Sequence, residues 1–224
     1  MSTIVLVYGE SGTGKSTSIK PLPENETYII NVLGKPLPFK GWKNKYREEK
    51  VKEKNKNLLV TDDAATICKC LLTISKEKPE IKHIIIDDFQ YIMCNEFMRR
   101  ALEKGYEKFS QIGQSAWNII MQASSLRSDL KIFFLTHSDT DMTGKTKVKT
   151  IGKMLEDKVC IEGMFTMVFY STKIDDKYVF LTQTQDNISA KTPHEMFSDK
   201  FIDNDLMSIS NKIDLYDKED DIKQ

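Results

Sequence analysis

The chain is poor in the residue types that commit a protein to a disulfide scaffold, a bilayer or a nucleic-acid coat. Its four cysteines (Cys68, Cys70, Cys94, Cys160) form no C-x-x-C pair, so the expectation is reduced, structural thiols in a cytoplasmic protein rather than a zinc or redox centre. No apolar run approaches the ~20 residues that span a membrane. Met1-Ser2-Thr3 leads straight into a short apolar run, so no membrane partner and no leader are expected. Neither charge sign is in excess: 33 basic residues balance 33 acidic ones. That excludes a uniformly basic nucleic-acid-binding surface but leaves room for a local basic patch. Arginine is scarce (Arg47, Arg99, Arg100, Arg127), and none is placed as a lid, which makes a small-molecule kinase the weaker alternative. No internal repeat or low-complexity tract occurs.

The charge that is present is uneven. Residues 40–56 hold eight basic against three acidic residues, with Trp42 and Tyr46 among them. Such a mix can stack bases while gripping a backbone, or it is a charged excursion whose aromatics anchor in the core. Residues 199–224 hold eight acidic residues against four lysines. They are expected to form an acidic, solvated C-terminal tail behind a domain spanning 1–198, with a partner-binding or DNA-mimicking role as the alternative.

The strongest local signal is Gly9-Glu10-Ser11-Gly12-Thr13-Gly14-Lys15-Ser16, which matches every fixed position of the phosphate-loop pattern G-x-x-x-x-G-K-[ST]. Ile4 to Tyr8, just upstream, reads as a strand buried on both faces. Glycines allow successive N–H groups to turn toward phosphate oxygens, and a following helix adds its positive end. Lys15 then reaches the β- and γ-phosphates, Ser16 ligates Mg²⁺, and Thr17 completes the expected nucleotide-binding set, Gly9 to Thr17. The bland alternative is a glycine-rich turn that binds nothing.

Pro21 and Pro23 demand a very short helix after this loop. Tyr28 to Val32 predicts a second strand. Thr61-Asp62-Asp63 predicts the N-cap of a helix carrying Ile67, Leu71 and Ile74. His83-Ile84-Ile85-Ile86-Asp87-Asp88 is a β-branched run ending in two carboxylates, which suits a Mg²⁺ ligand at Asp87 opposite Ser16. Helices are expected over 91–104, stopping at Gly105, and along Ala116, Ile119, Ile120, Ala123 and Leu126. Lys131 to His137 predicts a further buried strand, followed by a loop over 138–149. Residues 165–170 and 177–183 predict an antiparallel hairpin turned at Asp175-Asp176.

Taken together, these elements resemble the RecA-type branch of P-loop ATPases, and within it the small phage ATPases that act in single-strand annealing and recombination. Residues 34–39, Tyr106 to Gly113, Thr136 to Asp139 and Ala190 to Pro193 extend the similarity over roughly residues 3 to 198. The resemblance implies an α/β RecA-type core with a mainly parallel sheet, flanking helices and a C-terminal antiparallel hairpin. It implies ATP and Mg²⁺ as cofactors, and single-stranded DNA and a single-strand-binding protein as partners. It further implies a homo-oligomer with ATP at subunit interfaces, in the host cytoplasm if phage-encoded.

Four roles carry over. Lys15, Ser16 and Asp87 bind phosphates and Mg²⁺; His137 stands where the branch places a γ-phosphate sensor. Lys145, Lys147 and Lys149 fall in the place of a DNA-contacting loop, although by residue type a plain solvated turn fits as well. Lys191 could reach a neighbouring subunit's γ-phosphate or be an ordinary surface lysine. One departure stands out: the strand Ile29-Ile30-Asn31-Val32-Leu33 lacks the catalytic acid of the branch. Asp88 is the replacement base, or else a helix cap; without a base, hydrolysis would be slow and ATP would act as a switch.

Overall fold

Uninterrupted apolar runs bury both faces of a strand, and four such runs form the centre of one sheet. The computed structural model describes residues 1–48, 56–151 and 159–222. Strands β1 (Thr3–Gly9), β2 (Thr27–Asn31), β4 (His83–Asp87) and β5 (Lys131–Thr140) lie parallel in the order β2-β4-β5-β1. The short β3 (Leu58–Val60) adds in parallel outside β2. On the far side β7 (Met167–Ile174) joins β1 in parallel, and β8 (Lys177–Leu181) and β9 (Phe201–Asp203) continue antiparallel. The mainly parallel sheet with an antiparallel group near the C-terminus is therefore as expected. Its hairpin turns at Asp175 and Asp176, both at positive φ (46° and 64°), as a tight two-residue turn between twisted strands requires.

Because strand side chains alternate, the sheet presents two apolar faces. Leu6, Ile30, Ile84, Ile86, Ile132 and Phe134 face helices α2 (Ala64–Glu77), α3 (Gln90–Arg99) and α4 (Glu107–Ser124). The predicted cap of α2 is present: Asp63 accepts the Thr66 N–H at 2.7 Å. Helix α3 is shorter than the expected 91–104. Buried Lys108 of α4 turns its ammonium onto the carbonyls of Arg100, Ala101 and Glu103, terminating the helix before Gly105. Residues 138–149, expected as a loop, form a hairpin in which β6 (Thr146–Val148) pairs with the end of β5.

The opposite face (Val5, Val7, Ile29, Ile85, Phe133, Leu135) is covered differently. Only a four-residue 3₁₀ turn, Ser16–Ile19, follows the phosphate loop before the two prolines. The macrodipole expected there is correspondingly small, since it grows from aligned peptides over several turns. The last helix, α5 (Leu206–Ile222), covers the gap, with Leu206, Ile209 and Ile213 buried against this face. This corrects the expectation of a solvated tail: Lys212 is half-buried and Asp214, Asp217 and Lys218 are exposed on a helix whose inner side completes the core. The basic segment is also corrected in part. Helix α1 (Trp42–Lys45) leaves Trp42 half-buried and Tyr46 buried against Phe39, so Tyr46 presents no ring for a base; residues 49–55 of that segment lie outside the described residues. None of the four cysteines forms a disulfide. Among the described residues no helix is long and apolar enough to cross a membrane.

α5 is tied to the sheet by a titratable contact. His83 at the start of β4 is buried, with Nε2 2.8 Å from the Ser210 hydroxyl and, among the described residues, no partner for Nδ1. Burial first, and then the positive charge of Lys131, lower its pKa to about 4. The unfolded chain binds this proton near pH 6.5 and the folded chain does not. Stability is thus fully present above about pH 6.5 and falls as the pH drops toward 4, by roughly 3 kcal/mol at most. Asp87, pushed up to about 7, adds stability as the pH falls through part of the same window, so the loss is read as the difference between wild type and His83→Gln in urea melts at pH 7.5 and pH 4.5; the same pH dependence in both proteins would rule this histidine out.

Candidate nucleotide site

In an open parallel sheet the carboxyl ends of the strands form the natural binding crevice. Register brings the candidate residues to that edge. Gly9 at the end of β1 lies level with His137 on β5, and Asp87 at the end of β4 lies level with Asn31 on β2. The result is a cleft of about 290 Å³ whose lining includes Lys15, Ser16, Lys35, Asp87, Asp88 and His137. The sequence-predicted phosphate, metal and sensor residues thus meet in one place.

The loop owes its shape to its glycines. Gly14 (φ +92°) lies under the Tyr178 ring, where a Cβ would come within 2.8 Å of the ring carbon Cγ. Gly9 lies so close to the Ser171 carbonyl that any side chain would collide with it. β7 also braces the loop from below, through the Ser171 hydroxyl donating to the Thr13 carbonyl at 2.8 Å. Lys15 is folded back, donating to the carbonyls of Gly9 (2.9 Å) and Glu10 (2.7 Å). Burial lowers its pKa to about 8, against the pull of Asp87 and Asp88. A desolvated ammonium resting on neutral carbonyls gains strongly from an arriving phosphate.

Ser16 donates to Asp87 Oδ1 at 2.9 Å. Burial, and then the neighbouring Asp88 charge, push Asp87 up to about 7, although Ser16 and Lys15 pull the other way. An under-compensated buried carboxylate beside a hydroxyl is an oxygen donor pair suited to Mg²⁺, which takes one or two protein oxygens and completes its shell with water and phosphate. Among the described residues no cluster of three or more His, Cys, Asp or Glu side chains offers a complete cation cage.

Asp88 has a left-handed backbone (φ 63°), and its carboxylate has partners of its own. Lys35 Nζ lies 3.1 Å from Oδ2 and His137 Nε2 lies 3.4 Å from Oδ1. Burial alone would raise its pKa, but these two contacts outweigh it and hold the carboxyl below its ordinary range. His137 is fixed from behind: buried Gln90 accepts its backbone N–H at 3.1 Å and the Thr136 hydroxyl at 3.0 Å. Lys149 continues from there, its N–H donating to the His137 carbonyl at 2.8 Å. Lys145 is exposed on the hairpin turn and Lys147 half-buried on β6. Lys191 is not brought to the cleft: it is exposed, with its backbone paired to Val168 within β7. Arg99, Arg100 and Arg127 pair with acids on their own surfaces, away from the cleft.

Three residues escaped the sequence reading. Lys35 and Tyr178 line the cleft and Gln90 orders its floor. Only Lys35 had a signal, its place between Gly34 and Pro36 in a turn directly after a predicted strand. Tyr178 and Gln90 are ordinary strand and helix residues whose position depends on packing.

A family model described as AAA domain matches residues 1–194. No curated protein matches the chain.

Proposed function

From a chain that belongs to the AAA-domain family, and from the cleft at its strand ends, we propose a Mg²⁺-dependent ATPase whose cycle acts on single-stranded DNA in phage recombination or replication. The carrying observation is the Ser16–Asp87 contact of 2.9 Å, set between Lys15 and Asp88 in one cleft. Ser16 and Asp87 would hold Mg²⁺, which when bound neutralises charge on the β- and γ-phosphates. Lys15 leaves the Gly9 and Glu10 carbonyls for the phosphates. Asp88 accepts a proton from the attacking water as the water oxygen bonds to the γ-phosphorus. The bond from that phosphorus to the bridging oxygen breaks, and its electron pair leaves with ADP. His137, beside Asp88, is positioned to meet a γ-phosphate oxygen.

The DNA part rests on the resemblance together with one structural link: the hairpin that carries Lys145, Lys147 and Lys149 continues directly from His137, so a movement at the γ-phosphate would reach them through the paired β5 and β6. ATP turnover measured with and without single-stranded DNA should show stimulation. A salt titration of oligonucleotide binding should lose about 2 from its log–log slope when the three lysines become alanine, at about 0.7 per phosphate contact on a single strand. Absence of binding at low salt, with and without ATP, removes DNA from the proposal.

A further inference from the structure

We propose that Lys35 is a second phosphate-binding cation, held on Asp88 until a nucleoside triphosphate draws it onto the γ-phosphate. The inference deepens the ATPase reading and rests on it.

Lys35 stands on a braced support. Gly34 takes positive φ (66°) to turn the chain out of β2, and buried Asn31 donates its amide to the Lys35 carbonyl at 2.7 Å. Pro36 and Pro38 stiffen the chain on the other side of Lys35, and both line the cleft with it. The backbone is thus fixed while the side chain is free to move: it is 57% exposed, and its ammonium lies over the Tyr91 ring at 5.3 Å. The Lys35 end of the pair is in solvent while Asp88 is only 13% exposed, and His137, 3.4 Å from Oδ1, stays beside the Asp88 carboxylate when Lys35 leaves. The cleft lining holds two lysines and two aspartates, close to charge balance before ligand arrives. A triphosphate adds about four negative charges, of which a bound Mg²⁺ would offset two and Lys15 one, and for the charge left over the second lysine is the mobile cation. β2, the strand that would carry the absent acid of the RecA-type branch, thus contributes through Asn31 and the loop behind it a cation instead. Transfer of Lys35 also uncovers Asp88 Oδ2 for the attacking water, so binding the terminal phosphate and freeing the base become one movement.

The test compares fluorescent analogues of ADP and of non-hydrolysable ATP on wild type, Lys35→Ala, Lys35→Arg and Lys15→Ala. Lys35→Ala should weaken the triphosphate about tenfold and the diphosphate less than threefold, with the melting temperature unchanged. Lys35→Arg should restore the preference for triphosphate. An unchanged ratio of triphosphate to diphosphate affinity in Lys35→Ala, with Lys15→Ala impaired for both, overturns the role of Lys35 alone. Unimpaired binding of both in Lys15→Ala overturns the nucleotide-site reading and this inference with it.

Discussion

Asp88→Asn is expected to lower ATP turnover by about 10² to 10⁴-fold, the range that a positioned general base contributes, while the ATP analogue still binds. The substitution isolates proton transfer. Asparagine is, with aspartate, among the few side chains that tolerate the left-handed backbone that residue 88 adopts (φ 63°), so the turn at the end of β4 persists. Its amide oxygen can still accept from Lys35 or His137, which now contact the carboxylate at 3.1 and 3.4 Å. Asp87, whose ionisation is opposed by burial and by the Asp88 charge, loses a like-charged neighbour and becomes the better cation ligand. What the variant lacks is a group able to take a proton. Single-turnover hydrolysis beside analogue binding and a melting curve checks this. A turnover within twofold of wild type would remove Asp88 from the mechanism, leaving ATP binding rather than cleavage as the working step.

The second large effect concerns stability. Removing residues 205–224 is expected to leave a chain that fails to fold or aggregates, although the deleted segment is rich in acid. Leu206, Ile209 and Ile213 are 0%, 0% and 1% exposed, on a helix lying against the face that holds Val5, Val7 and Phe133. Burying one such side chain contributes about 1.5–3 kcal/mol, and deletion uncovers the sheet beneath as well. The sum approaches the ~5–15 kcal/mol that separates folded from unfolded domains. Ile209→Ala alone should cost about 2–5 kcal/mol, whereas Lys218→Ala, at an exposed position on the same helix, should cost about 0.5 kcal/mol or less. Denaturant melts of the two variants provide the comparison; equal and small losses would return the segment to the status of a solvated tail.

These two cases show why legibility along the chain was uneven. Gly9 to Ser16 and His83 to Asp88 were readable because their constraints are local: a turn that needs glycines, and a buried run that must stop at polar residues. Leu206, Ile209 and Ile213 also have helical spacing, but eight acidic residues between 199 and 224 masked the three apolar positions. The need to bury them comes from elsewhere. Pro21 and Pro23 cut the element after the phosphate loop to four residues, and an uncovered sheet face then requires another cover. Lys108, which ends α3 from within α4, is a similar case, because a helix stop supplied by a distant ammonium leaves no mark at the stop itself.

By itself, then, the sequence determined that this is an α/β protein with a phosphate loop, a carboxylate pair at the end of a buried strand and a closing antiparallel hairpin, since each arises from contacts within a few residues. The tertiary structure alone decided which groups share the cleft. Parallel register set Gly9 level with His137 and Asp87 level with Asn31. Different partners, Ser16 for Asp87 and Lys35 with His137 for Asp88, made two adjacent carboxylates a candidate cation ligand and a candidate base. Lys35, 53 residues away in the chain, reached that base only because β2 and β4 are neighbours in the sheet; strand order, which no local pattern encodes, brought them together.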